Sequence, residues 1–474
     1  MDNKKLRNLI VSVLLLGSFL TGLTQTVLNS ALPSIMKDFH ITADSAQWLT
    51  SIYMLVLGVM IPATAYLISN FSAKKLYISS MLLFFTGCLI SIFTNNFQML
   101  VASRIFQAMG AGIIMQLVQV SMINLYPKEQ RGVAMGLYGF VIGVAPAVGP
   151  TAAGYIIDNF GWRILFYILA FIAILDILLA LIILRDITEI KKSKLEIMSL
   201  IFSTLGFGGL LIGVSNLGTY GIYNYITYLP IILGLISLIL FTIRQFKVDE
   251  PLLNLKVFKS KQFVISVILL MIMYISFTSA TMILSLYLQS SRGMSAMIPG
   301  LMMLPGSILM SILSPISGKI LDKYGARILS ISGFLCLSIS TFSFSNLSDT
   351  TSIVMLTIMY SIRMIGLTLL LMPVTTWGLN ALNHSEIADG SAIGSTLRQV
   401  SGAIGSSLFI AIMTTISKNC LNTSEVLATI KGINVAFKAS SLLLFIGLII
   451  SIIYVKDKNS KPQEEKGITF ALEN

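Results

Sequence analysis

Apolar stretches of about 20 residues, the length of helix that crosses a bilayer core, alternate along this chain with short polar segments rich in lysine and arginine. Fourteen such windows can be placed, from 9–29, through the fifth at 133–157, the sixth at 164–184 and the tenth at 297–317, to the last at 434–455. The pattern predicts an all-α polytopic membrane protein with 14 transmembrane helices. Lys4, Lys5 and Arg7 run directly into the first window with no small-residue cleavage site, which predicts a retained span rather than a cleaved signal.

The fifth window holds the most unusual pattern, GFVIGVAPAVGPTAAG from Gly139 to Gly154. Proline removes a backbone donor and clashes with the preceding turn, so Pro146 and Pro150 are expected to bend the helix. Gly139, Gly143, Gly149 and Gly154 allow a neighbouring backbone to come close, as small residues do between helices in lipid. Hydrocarbon tolerates an interrupted helix only where protein or an aqueous cavity satisfies the freed groups, so this segment is predicted to face inward.

Composition narrows the class. Of the 474 residues 55% are hydrophobic and 11% charged, against about 25% charged in soluble domains. The net charge of +12 falls mostly in the segments that share a side with the two termini. That is the positive-inside pattern if both termini are cytoplasmic. Basic loops facing an anionic inner leaflet explain the charge without nucleic acid. Cys88, Cys336 and Cys420 are too few and scattered for a disulfide framework or a metal cluster. His40 and His384 fall in loops, and no GxxxxGK[ST] phosphate loop is present. No metal, cofactor, enzymatic activity or ATP hydrolysis by this chain is expected.

Internal repetition sets the organisation. Ala65 to Lys75 after the second window corresponds to Gly318 to Arg327 after the tenth, and Arg104 in SRIFQAMGAG to Arg363 in SIRMIG. The loop segment beginning at Glu129 (EQRGVAMG) corresponds to the one beginning at Glu386 (EIADGSAIG). The order and offset are nearly constant, as in transporters built from two related helix bundles with the substrate site between them. Windows seven and eight are left over. The predicted layout is a six-helix bundle over 1–190, an inserted helix pair with its flanking loops over 191–262, a second bundle over 263–456 and a polar cytoplasmic tail over 457–474.

This layout resembles the fourteen-span drug:proton antiporters of the major facilitator superfamily, and GFVIGVAPAVGPTAAG resembles their fifth-helix antiporter motif. TVLNSALP (26–33), AQWLTSIYML (46–55), STLGFGG (203–209), PLLNLKVF (251–258) and STLRQVSGAIG (395–405) are similar to the lincomycin-resistance subgroup in low-GC Gram-positive bacteria. The resemblance covers the chain up to Lys456. It implies a cytoplasmic-membrane exporter of amphipathic drugs or toxic small molecules that works by alternating access, is driven by protons and acts as a monomer. Export of an endogenous lipid, peptide or signalling metabolite, or a nontransporting sensor, are the rival readings.

The candidate chemistry is sparse. In Gly318–Arg327 the pattern GxLxDxxGxR places Asp322 one turn past the predicted helix end, beside Lys323 and Arg327, and such a group can latch two helices in one state of a rocking transporter. Asp322 and Arg327 are the expected inner latch. The first-half counterpart has Ser69, Asn70 and Ser72 where the family has an acid, a base and a glycine, so any latch should reside in the second half. Arg104 lies inside the fourth window, where a charge costs about 2.5–3.5 kcal/mol on insertion scales. It shares a helical face with Ala108, Ala111, Met115 and Gln119. Substrate handling by Arg104 and Gln107, which the resemblance implies, stands against a side chain snorkelling outward. Gln25 and Asn29 on the first window are further substrate-binding candidates. Thr24 stands where related exporters often carry an acid. Asp176, the one acid inside the predicted windows, is either a coupling site or a protonated packing residue.

Overall fold

The computed structural model describes residues 3–41, 43–185, 196–220, 223–248, 251–294, 297–419 and 425–456. Among these residues there is no strand, and 14 long helices account for most of the chain. They are α1 (Asn3–Phe39), α2 (Ala43–Asn70), α3 (Ala73–Ile92), α4 (Phe97–Leu125), α5 (Arg131–Phe160), α6 (Arg163–Ile183), α7 (Ile197–Tyr220), α8 (Tyr225–Lys247), α9 (Lys261–Leu286), α10 (Met297–Tyr324), α11 (Ala326–Ser343), α12 (Ile353–Leu379), α13 (Ile387–Lys418) and α14 (Glu425–Tyr454). Thirteen of them carry a stretch long and apolar enough to cross a bilayer.

Local chemistry sets the boundaries. Helix starts expose amides with no intrahelical partner, and short polar side chains satisfy them: Ser72 accepts from the Lys75 amide at α3, Asn96 from Met99 at α4 and Ser260 from Phe263 at α9. Between α10 and α11 the chain reverses at Gly325, whose φ of 80° is costly for any residue with a Cβ.

Helices α1 to α6 pack on one another, as do α9 to α14, and the two sets meet chiefly where α5 lies on α10 and α2 on α13. Helices α7 and α8 pack together, and α7 also touches α2 and α13, one helix from each set. Burial ranks the helices: 78% of the apolar window of α4 is buried, against 17% for α8, which turns a nearly complete apolar surface outward. Arg7 near the start of α1 stacks on Tyr126 past the end of α4, and Arg327 at the start of α11 reaches the Ile452 carbonyl on α14. These contacts share one end of the molecule, here termed the terminal face.

Candidate functional site

The seam between the two sets begins with glycine. Gly132, Gly136, Gly139 and Gly143 follow at steps of four, three and four residues and so share one face of α5. A Cβ on Gly132 would collide with the Gly318 carbonyl, and one on Gly318 with the Gly132 carbonyl. At Gly136 it would stand 2.7 Å from the Ser314 carbonyl and 2.9 Å from Pro315 Cα; at Gly139 it would strike the Ser314 hydroxyl; at Gly143 it would stand 2.7 Å from the Ser311 hydroxyl. Two backbones therefore touch over three turns, as in small-residue packing in membranes.

At the terminal face this contact ends on a carboxylate. Asp322 Oδ1 accepts from the Gly132 amide at 2.7 Å and Oδ2 from the Val133 amide at 2.8 Å. Both amides belong to the first turn of α5, where they lack intrahelical acceptors and the helix dipole favours an anion. Arg131 secures the same turn, donating from Nη1 to Asn380 Oδ1 at the end of α12 (2.8 Å) and from Nε to the Ile123 carbonyl of α4 (3.0 Å).

The expected latch is thus corrected in two respects. Asp322 does not lie beyond a helix end, because α10 continues to Tyr324 and stops only at Gly325; the apolar window ends at 317 where charges enter, but helicity does not. Arg327 is exposed and donates to the Ile452 carbonyl of α14 at 3.5 Å, so it ties α11 to α14 instead of joining Asp322 on α5. The closest approach, at Gly132 and Gly136, is not foreseen: Gly132 lies in EQRGVAMG ahead of the fifth apolar window, and Gly136 lies in that window but before the GFVIGVAPAVGPTAAG pattern. Only Lys128–Gln130 is a 3-10 turn, and α5 starts at Arg131. The four-three-four glycine spacing from 132 to 143 is the available signal.

Of the expected motif glycines, Gly139 and Gly143 form the seam and Gly149 is buried, whereas a Cβ on Gly154 would meet nothing within 4 Å. The side chains of Pro146 and Pro150 lie outside the described residues, and α5 runs unbroken through both positions. The side chains of Gln25 and Asn29 also lie outside the described residues. Thr24 is buried and returns its hydroxyl to the Leu20 carbonyl of its own helix at 2.8 Å.

Arg104 does not snorkel. It is 1% exposed, donating from Nη1 to Gln107 Oε1 at 2.6 Å and from Nε to the Leu49 carbonyl at 3.3 Å, with its guanidinium 4.2 Å from the Tyr53 ring centre. Gln107 passes the network on to Ser91, and Tyr53 to the Thr21 carbonyl. Four helices, α1 to α4, are tied by one charge whose donors meet acceptors, the condition for burying it. The second-half counterpart Arg363 is equally buried and binds the Thr341 hydroxyl on α11 and the Ser276 carbonyl on α9, the latter at 2.7 Å.

Asp176 is fully buried where α6 meets α3 and α1. Its Oδ2 lies 2.7 Å from the Tyr77 hydroxyl, which also lies 2.8 Å from the Val13 carbonyl; Oδ1 has no partner. Ala173 and Ala180 on the same face are also buried.

The two sets of helices meet at a glycine seam closed by an acid on a helix start, and residues 14–406 match the Major Facilitator Superfamily. The chain belongs to that superfamily. It is 39% identical to the uncharacterized MFS-type transporter YcnB of Bacillus subtilis over 97% of both chains. It is 35% identical to the lincomycin resistance protein LmrB of the same organism, over 94% of this chain and 95% of that one. The fold is shared with the crystal structure of the human organic anion transporter MFSD10 at a TM-score of 0.65 and 13% identity, over 94% and 99% of the two chains. This superfamily member is a membrane transporter of small molecules rather than an enzyme.

Proposed function

We propose that this superfamily member exports amphipathic drugs or other toxic small molecules across the cytoplasmic membrane by alternating access, driven by the proton gradient, as a monomer with both termini in the cytoplasm. The drug class is drawn from the likeness to LmrB. The observation that carries the mechanism is the α5–α10 seam. It joins the two halves through close backbone contact and a carboxylate, Asp322, and such a contact can be made and broken as halves rock. In this reading the terminal face is cytoplasmic, Asp322 holds the state closed on that side, and Arg327 anchors α11 to α14.

Proton counting assigns Asp176 a part. The Tyr77 phenol has one proton, yet two acceptors stand within 2.8 Å of its oxygen. A protonated Asp176 donates to Tyr77 while Tyr77 donates to Val13, and a neutral carboxyl also removes the cost of a fully buried anion without a cation. We assign Asp176 as a packing carboxyl that keeps its proton, with proton coupling as the competing role. Gln25, Asn29 and the Arg104–Gln107 pair remain the proposed polar contacts for substrate on the first half.

The test is transport in inverted membrane vesicles with labelled lincomycin and a panel of amphipathic compounds, with and without an imposed inward-acid gradient. Accumulation that collapses with the gradient is the expected result. Gradient-independent movement, or none for any compound, would remove the reading.

A further inference from the structure

Three arginines, Arg104, Arg363 and Arg398, lie well inside spanning helices, and their surroundings differ. Arg104 and Arg363 are 1% exposed, and each is held by acceptors from more than one helix. Arg398 on α13 is only half-buried. Among the described residues its one hydrogen bond is a long 3.3 Å contact from Nη2 to Ser395 on its own helix, and its guanidinium lies 5.6 Å from the Tyr274 ring centre of α9. Among the described residues no carboxylate lies within ion-pair distance of it. A guanidinium carries five N–H donors in a fixed fork, so most of its capacity is unspent.

Its position gives that capacity a use. Side chains on a helix lean toward the helix N-terminus, which aims Arg398 from its place on α13 toward Ser395 and Ser391. There it lines a crevice of about 10 Å³, room for one water at most in this state, in which Gln119 of α4 is the one lining residue from the first half and Thr375 of α12 is among those from the second. Gln116 of α4 accepts from Ser391 of α13 at 2.9 Å across the same junction. The apolar walls come from α9, through Phe263, Val267 and Leu270. A cation with serine and glutamine neighbours and a greasy wall, at the junction of the two halves, matches the acidic head of an amphiphile once the halves part.

We propose that Arg398 is the anion-recognising residue of the substrate path, binding a carboxylate, sulfonate or phosphate group of an amphipathic substrate, so that this transporter favours anionic and zwitterionic amphiphiles over permanent cations. The proposal rests on the transporter reading above for its location. It accounts for a half-buried guanidinium with a single long hydrogen bond, where the enclosed Arg104 binds acceptors on two helices. Guanidinium and carboxylate match as a bidentate pair, a geometry that lysine does not reproduce. Thr24, in the interior of α1, bonds back to its own helix and offers no negative charge to a cation.

The experiment uses the full-length purified protein and two probes that differ only in the head group, a dansyl-labelled undecanoate and the matching dansyl-undecyl trimethylammonium. Equilibrium binding in detergent is read by dansyl fluorescence, and transport by accumulation in proteoliposomes. Wild type should bind the carboxylate probe saturably and more tightly than the ammonium probe. Arg398→Gln should weaken carboxylate binding at least tenfold while leaving ammonium binding within twofold, and Arg398→Lys should fall between. Retention of the ammonium affinity shows that the variant is folded. Equal carboxylate affinity in wild type and Arg398→Gln, equal loss of both probes, or no saturable carboxylate binding by wild type would each overturn the proposal. Head-group selectivity in binding without gradient-driven accumulation would instead sink the export reading and leave this one standing.

Discussion

The two seams that join the halves, α5 on α10 and α2 on α13, are related by the internal repeat but are built differently. At the end of α10, Asp322 crosses to the first turn of α5 and takes two amide protons from the opposite half. At the corresponding end of α2, Ser69 turns its hydroxyl back to the Ala65 carbonyl of its own helix at 3.0 Å. One seam is latched by a charge on a helix dipole; at the other, the residue in the matching place serves only its own helix, and α7 packs alongside instead. Repetition supplied two equivalent places for a latch, and one acid decides which of them carries it.

The comparison breaks most severely at the backbone. Gly318→Ala places a methyl against the Gly132 carbonyl, with no flexible side chain to yield. Overpacking of this kind costs about 1–3 kcal/mol or more, and transport in vesicles should be abolished while the protein still inserts. Gly154→Ala, with open space around it, should transport normally. A tolerant Gly318 would mean that the seam is looser than described.

Arg104→Lys should come next, with efflux reduced to a small residue of wild type. Lysine cannot serve both the Leu49 carbonyl and Gln107 from the positions the fork occupies, and a buried polar group left unpaired costs about 1–3 kcal/mol. Near-normal efflux by this variant would reduce Arg104 to a replaceable cation.

Asp322→Asn removes the charge and one acceptor while keeping the shape. A hydrogen bond to a charged group contributes about 1.5–3 kcal/mol, so the closed state at the terminal face should lose roughly thirtyfold in relative population, with a matching slowing of transport. Ser69→Ala should be within error of wild type. Equal and small effects from both would leave the two seams functionally alike.

Smaller effects are expected off the seams. Asp176→Asn keeps a donor toward Tyr77, so gradient-driven transport should remain close to wild type; retained substrate binding with lost proton coupling would make Asp176 the coupling site instead. Smallest of all is Glu196→Gln. Two hydrogen bonds from Arg244, at 2.9 and 2.5 Å, hold the Glu196 carboxyl down to about 2. A depressed acid stabilises the fold at every pH above its ordinary range and loses that contribution only as pH falls toward 2. The pair should therefore contribute equally at about pH 5 and pH 8, and the melting difference between wild type and Glu196→Gln should be small and the same at both.

Much of this was legible in the sequence, and the failures have physical causes. Hydrophobic windows locate the spans because lipid demands them, but they misplace helix ends wherever charges extend a helix past the apolar zone, as at Asp322. The repeat points correctly to Ser69 and Asp322 as unequal partners. What that acid touches is not legible, since its partners are backbone amides 189 and 190 residues away, and amides have no side-chain signature. Arg104 stands out in the sequence, but its burial depends on Leu49 and Tyr53 of another helix. Arg398 lies unmarked in STLRQVSGAIG because an unspent guanidinium is visible only when its neighbours are known.

The central claim, that Asp322 on the start of α5 holds the terminal face closed in one state, is tested most directly by a distance. Nitroxide labels at Gln130→Cys and Lys323→Cys, both exposed positions beside the latch, would be measured by double electron–electron resonance in a background free of the native cysteines. The account predicts a short and a long population in the parent, with the short one largely lost in Asp322→Asn and unchanged in Ser69→Ala. A single distance that Asp322→Asn leaves in place would contradict it.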